Sequence, residues 1–217
     1  SNAQQVDQTG NLIDNSQWTG VGAYAPDPND CCSNPGGSQP LYDTDTDTIK
    51  FSYGQATVGQ IIGINNALGS SGLQVNGYTW SYWLRNNNDG STQTGVDSLT
   101  SYSYLKDGAG NILTDNTIVH NTKMDWTQFS GTQTLSNPYD IAGGGTVGIQ
   151  FSSRDGGFWA GLYGPEVNGV SLRLNYSAGE DPCIKDPLSS TSCPGYAEAY
   201  KSQQCSMNPL YDTTCPG

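Results

Sequence analysis

The sequence predicts an all-β protein: an antiparallel jelly-roll β-sandwich followed by a small cysteine-rich repeat tail with a short helix. Three observations carry this reading. Between residues 49 and 177, apolar and polar residues alternate in short runs, as in Val170, Leu172, Leu174 and Tyr176 against Ser171, Arg173 and Asn175. That period of two marks half-buried antiparallel strands, and about seven to nine such runs fit two packed sheets. Stretches of Gly, Asn, Asp, Ser and Pro separate the runs, as turns require. Past residue 177 the composition shifts, and cysteines recur at a fixed interval.

A chain of 217 residues can bury one sizeable core and carry an appendage. Only 34% of it is hydrophobic, but 13 Tyr and 5 Trp supply bulk, which a disordered chain would lack. Eight Lys and Arg against 20 Asp and Glu give a net charge of −12. Such a surface repels phosphate backbones, so no nucleic-acid partner is expected. No apolar run approaches the roughly 20 residues that span a bilayer, and no membrane partner is expected. Ser1-Asn2-Ala3 reads as an expression scar (residues 1–3). The sandwich is then assigned to residues 4–177 and the tail to 178–217.

Taken in order, residues 11–25 read as a first strand region, with Trp18 and Tyr24 available to the core. Residues 26–40 are nearly all turn formers around Cys31 and Cys32. These adjacent cysteines close a vicinal disulfide, pair elsewhere or stay reduced. The vicinal bond is the expectation, because the other four cysteines pair off among themselves. Asp43, Asp45 and Asp47 alternate with threonines. On a strand they would share one face at a spacing of roughly 6.5–7 Å. This reads as a solvated face. A structural calcium site would need carbonyls from another loop, so no cofactor is expected and a metal ligand set stays unassigned.

Further strands are expected at 57–66, 77–86, 97–106, 111–119, 126–135, 145–152 and 168–177. In the second of these, Trp83 faces opposite to Trp80 and Tyr82, so one ring set belongs to the core and the other does not. Asp107-Gly108-Ala109-Gly110 is a hairpin signal. No stretch before residue 190 carries helical periodicity.

The tail holds an internal repeat. Cys183 and Cys205 are 22 residues apart, as are Cys193 and Cys215. Asp186-Pro187-Leu188 matches Asn208-Pro209-Leu210, and Cys193-Pro194-Gly195 matches Cys215-Pro216-Gly217. Residues 196–204 have helical propensity behind Pro194. The second copy stops where its helix should begin, which reads as a truncated array. So short a unit needs cross-links, and local pairing, Cys183–Cys193 and Cys205–Cys215, is the simplest arrangement. Zinc is discounted, since no C-x₂-C-like pair is present.

Catalytic motifs are missing. His120, the single histidine, reads as a surface residue at a strand end, with no nucleophile elbow to accompany it. Glu166 is the carboxylate nearest the aromatic loop; beside Pro165 it reads as solvated rather than as a glycosidase acid. The chain is read as a non-enzyme.

Two resemblances add to this. Phe158-Trp159-Ala160-Gly161-Leu162-Tyr163-Gly164-Pro165-Glu166-Val167 resembles the closing segment of the sugar-binding jelly roll in F-box-associated domains. There the paired aromatics and a following lysine belong to the glycan-binding surface; here Ala160 stands at the lysine position. Residues 11–176 also resemble repeated domains in virion structural proteins of tailed phages from marine environments. The likeness runs through Asn11-Leu12-Ile13, Cys31 to Gly37, Pro40-Leu41-Tyr42-Asp43 and Ile49 to Ala56. It implies a virion or tail-fibre structural domain whose partners are neighbouring repeats or virion subunits, at the virion surface or otherwise extracellular.

The residues themselves point to a glycan as a further partner. Phe158 and Trp159 are expected to form a small sugar-contacting platform flanked by Asp155, Tyr163 and Asn168. Adjacent strand residues project oppositely, so both rings cannot enter one core face. In the alternative, Trp159 plugs the sandwich end and Phe158 packs against the next repeat. The alternative function is a carbohydrate-binding module of a secreted or cell-surface protein. Exposed rings with amide or carboxylate neighbours favour a binder; buried rings favour a spacer.

Overall fold

The computed structural model describes residues 5–22, 40–51, 55–69, 72–86, 98–154, 164–179 and 181–215. Ten strands are described: β1 (Asp7–Gln8), β2 (Leu41–Asp43), β3 (Thr48–Lys50), β4 (Gln55–Gly63), β5 (Leu73–Asn86), β6 (Ser98–Lys106), β7 (Ile112–His120), β8 (Met124–Asp140), β9 (Thr146–Arg154) and β10 (Glu166–Ala178). The chain divides into two compact units, Ser1–Ser177 and Ala178–Gly217.

The first unit is a hairpin folded over on itself. Its tip is the turn from Asp107 to Asn111. There the Asp107 carboxylate accepts the amides of Ala109 and Asn111 at 3.0 and 2.8 Å, and Gly110 takes the left-handed φ of +85° that the turn requires. The turn joins β6 to β7, and the remaining pairs nest outward from it. β5 pairs with β8, β4 with β9 and β3 with β10, all antiparallel. Rolling this nest gives two sheets, ordered β2-β3-β10-β5-β8 and β4-β9-β6-β7. This is the jelly-roll sandwich the alternation predicts.

Three local readings need correction. Residues 11–22 form no strand beyond an isolated bridge between Thr19 and Gly59. A single backbone bond to β10, Leu12 N to Leu172 O at 2.8 Å, is supplemented by a side chain: Asn11 accepts the Leu172 amide at 3.0 Å and donates to the Val170 carbonyl at 3.1 Å. Trp18 is still buried. Asp43, Asp45 and Asp47 do not share a strand face, because residues 44–47 are a turn between β2 and β3. Asp43 accepts the Asp45 amide and pairs with Lys50 at 2.8 Å, while Asp47, at φ +51°, accepts the Tyr42 hydroxyl. Lastly, a one-turn helix α1 (Ile64–Ala67) follows β4 and buries Ile64; it is too short to show a period.

The core lies between the sheets and is unusually aromatic. Tyr78, Tyr82, Phe51 and Phe151 are fully buried, and Trp80 nearly so. β6 alternates Leu99, Ser101, Ser103 and Leu105 on its buried face. The two serines answer the tyrosines of the opposite sheet: Tyr82 donates to Ser101 Oγ at 2.7 Å, and Tyr78 Oη lies 3.0 Å from Ser103 Oγ. Burial raises both phenols, that of Tyr82 to about 12.

His120 is not a surface residue. It ends β7 opposite Leu99, only 5% exposed, with Nε2 2.6 Å from Tyr82 Oη and its ring 4.3 Å from that of Phe129. Burial lowers its pKa below the ordinary 6.5.

The second unit contains two helices, α2 (Pro182–Lys185) and α3 (Tyr196–Met207). Disulfides join Cys183 to Cys193 and Cys205 to Cys215. The repeat is structural as well as sequential. The Asp186, Leu188, Ser189 and Cys193 amides donate to Pro182 O, Asp186 Oδ1, Asp186 O and Ser190 O. Exactly 22 residues on, those of Asn208, Leu210, Tyr211 and Cys215 donate to Gln204 O, Asn208 Oδ1, Asn208 O and Asp212 O. Asp181 caps α2 by accepting the Cys183 amide at 2.9 Å.

Two outcomes follow from the core. Tyr82→Phe removes the hydroxyl that both Ser101 and His120 use, and should destabilise by about 1–3 kcal/mol in urea denaturation. A depressed histidine pKa means the unfolded state binds the proton first. Stability is therefore complete above 6.5 and declines as pH falls below it toward the lower folded value. Since the carboxylates of Asp14, Asp43 and Asp107 are held below 3.8, the loss between pH 6.5 and 5 belongs to His120. His120→Gln should flatten that slope in melts across pH 5–7.5, whatever its effect on stability at neutral pH.

Candidate functional site

Asp155, Phe158, Trp159 and Tyr163 lie outside the described residues, as do Cys31 and Cys32. Asn168, the remaining platform residue, is on β10. Its amide donates to Thr46 O at 2.9 Å and Thr48 Oγ1 at 3.0 Å, fastening the β2–β3 turn to β10.

The exposed rings are elsewhere. Along β5, Tyr78, Trp80, Tyr82 and Leu84 point into the core, so Trp83 and Arg85 must point out. Trp83 is 41% exposed. β8 runs beside β5 with Trp83 opposite Gln128, Ser81 opposite Ser130 and Thr79 opposite Thr132. Trp126, two residues before Gln128, shares that outer face and is 36% exposed. Diagonal neighbours across a strand pair have Cα atoms about 7–8 Å apart, within reach of large side chains. On the other flank β10 supplies Asn175, whose amide donates to Thr79 Oγ1 at 3.1 Å.

A left-handed glycine makes room for one ring. Gly169 has φ +59°, and a Cβ placed there would lie 3.2 Å from Trp83 Cδ1. Trp83 therefore leans over β10 at its bend. Arg85 lies against the other ring, with Cζ 5.4 Å from the Trp126 centroid, within cation–π range. Its Nε donates to Glu166 Oε2 at 2.6 Å, and Nη2 reaches the same oxygen. Glu166 is thus an ion-pair partner, not the solvated carboxylate expected. Two indoles, a guanidinium and a carboxylate share one outer sheet face, bordered by hydroxyls and amides.

The opposite sheet carries a second aromatic pair on its outer face, Tyr102 and Tyr104, with ring centroids 5.4 Å apart. Tyr104 lies over Gly148, where a Cβ would be 2.5 Å from its ring. Lys106 Nζ sits 4.4 Å from the Tyr104 ring centroid, and Tyr104 is only 6% exposed. Burial raises its phenol. Covered in this way, it offers no open ring face. A cleft of about 380 Å³ beside β4, lined by Leu12, Asp14, Gln60, Ile61 and Asn66 among others, has no aromatic side chain among its described lining residues. No group of three or more His, Cys, Asp or Glu among the described residues is arranged to hold a metal ion.

The strand parity that exposes Trp83 is readable in the sequence, and so is the polar row Gln128, Ser130 and Thr132 that marks the Trp126 face. The Arg85–Glu166 pair spans 81 residues and leaves no local signal.

No protein-family model matches the chain, and no curated protein does. Among solved structures, it is similar to the MgGH51 α-L-arabinofuranosidase in its arabinose-bound form (16% identity, TM-score 0.35, covering 64% of this chain and 22% of that one). It is also similar to the enzymatically active domain of bacteriophage CBA120 tailspike protein 4 (14%, TM-score 0.36, covering 78% and 19%). A third likeness is to a CBM4 structure (15%, TM-score 0.36, covering 66% and 91%). The chain thus spans about a fifth of the length of the first two. Likeness of this strength carries no argument about what the chain binds.

Gly169→Ala tests how the site is built. A left-handed L-residue costs about 1–2 kcal/mol, and here the added methyl also crowds Trp83. We expect a loss of that size or slightly more by urea denaturation, whereas Gly10→Ala, with open space around it, should be nearly silent.

Proposed function

We propose that this protein is a non-catalytic carbohydrate-binding module, with the sandwich of residues 4–177 as the binding unit and the Trp83–Trp126 face as its sugar platform. One observation carries the reading: two tryptophans on adjacent strands of a single outer face keep large parts of their rings in water. A spacer domain would bury such rings. The apolar face of a pyranose covers an indole, while its hydroxyls find the amides and hydroxyls of Gln128, Ser81, Ser130 and Asn175. Glu166, the carboxylate beside the rings, is occupied by Arg85, which supports binding over glycosidase chemistry, where two carboxylates must be free to act. The disulfides fit an oxidising, extracellular setting. Display on a virion is compatible with this role, and Phe158 and Trp159 are not needed for it.

Trp83→Ala and Trp126→Ala should each weaken retention on a glycan array or affinity gel. Truncating a central aromatic anchor costs about 2 kcal/mol or more, roughly 30-fold in Kd. Melting temperatures should move by no more than a few degrees, as for other surface substitutions. Unchanged retention in both variants, or a wild-type protein that retains no glycan on a broad array, would overturn the proposal.

A further inference from the structure

The platform holds one feature that neutral sugar binding does not call for. Arg85 follows Trp83 by two residues on the same strand, with its guanidinium 5.4 Å from the Trp126 ring centroid. A guanidinium presents five N–H donors in a rigid fork. Glu166 Oε2 takes the edge formed by Nε and Nη2. No other acceptor among the described residues engages Arg85, so the edge formed by Nη1 and Nη2 has no partner among them, and the side chain is 41% exposed. The other outward cations of this sheet are committed: Lys50 to Asp43, and Arg173 to Ser171 Oγ and Thr9 O.

Resting on the sugar-binding reading above, we infer that the ligand is an acidic glycan, and that Arg85 receives the carboxylate of a uronic acid whose ring covers Trp83. Residues two apart on a strand are about 6.5–7 Å apart, a span that lets a pyranose over Trp83 place its C6 carboxylate at the guanidinium. The Nη1–Nη2 edge matches the two oxygens of a carboxylate in bidentate fashion. An ion pair to Glu166 and a cation–π contact to Trp126 hold the fork, so little side-chain freedom is lost on binding. Glu166 is a positioning residue: it holds Arg85 through the edge the ligand does not use.

The net charge of −12 works against a polyanion at long range. At physiological salt the Debye length is about 8 Å, so distant carboxylates are largely screened. Glu166 is not distant and already pairs the Arg85 charge, so the ligand is held by the N–H donors of the Nη1–Nη2 edge rather than by net charge. Binding should therefore be measurable at that ionic strength and weaken only when salt is raised well above it.

The test compares polygalacturonate, alginate and hyaluronan with their carboxyl-reduced, neutral counterparts in affinity electrophoresis of the full chain, with dextran sulfate as a control for charge alone. We expect at least one polyuronate to bind ten-fold or more tighter than its reduced form. Arg85→Gln should bring it down to the reduced level, and Arg85→Lys, which keeps the charge but loses the fork, should recover only part. Trp83→Ala should abolish both forms. Native melting curves for the Arg85→Lys protein separate a lost contact from a lost fold. Equal binding of acid and reduced polymers, with no effect of Arg85→Gln, would overturn the acid preference and leave sugar binding standing. Retention of dextran sulfate as tight as that of any polyuronate would also overturn it. Binding that survives Trp83→Ala and Trp126→Ala would instead remove the platform itself.

Discussion

Strand β5 cannot bury Tyr82 without exposing Trp83. Successive side chains on a strand take opposite faces, and β5 is an inner strand flanked by β10 and β8. Its inward rings are held by more than apolar contact: Tyr82 reaches Ser101 and His120 across the core, and Tyr78 reaches Ser103. Slipping the register of β5 by one residue would put Tyr78 and Tyr82 into water, leave Ser101, Ser103 and His120 without their phenol partners, and drive an arginine into the core. The buried polar row thus fixes the parity, and the parity puts Trp83 and Arg85 outside.

The same polar row explains why so aromatic a core is specific. An all-apolar aromatic interior can repack at modest cost, whereas a buried hydroxyl without a partner costs about 1–3 kcal/mol. Ser101 and Ser103 sit where leucine would otherwise be expected between Leu99 and Leu105. Their small side chains leave space for the phenols to cross from the other sheet. The nested pairing around the Asp107 turn brings β6 beneath β5, so the tip of the hairpin and the cross-core bonds specify one arrangement together.

Strand positions from β4 to β10 were legible because each carries an alternating run of adequate length, and the tail because its repeat and its cysteine spacing are local. What was not legible depends on partners distant in sequence. His120 reads as exposed from its neighbours alone; it is buried because β7 ends beside Tyr82 and Phe129 of the other sheet. Residues 11–22 form no strand, and one backbone bond from Leu12 together with the Asn11 side chain ties them to β10. The Asp-Thr run at 43–48 mimics alternation, yet the tendency of Asp to accept the amide two residues on turns it into a bend. Trp83 was legible as a ring facing away from the core, while its neighbours Gly169 and Glu166 come from a strand more than 80 residues away.

The placement of the rings on strands rather than on a loop has an energetic consequence. A loop platform must be ordered when a ligand arrives, and each rotamer-rich side chain immobilised then costs about 0.5–1.5 kcal/mol. Trp83 is already confined by the bend at Gly169, and Arg85 by Trp126 and Glu166. Both are anchored on strands whose opposite faces are packed in the core. Rigid elements hold binding groups more precisely than loops do, so weak individual contacts to a sugar can accumulate here without a large ordering term. A preorganised patch of this kind suits an extended chain lying across the sheet better than a single residue captured in a pocket. It also places the Arg85 guanidinium where successive units of such a chain would pass.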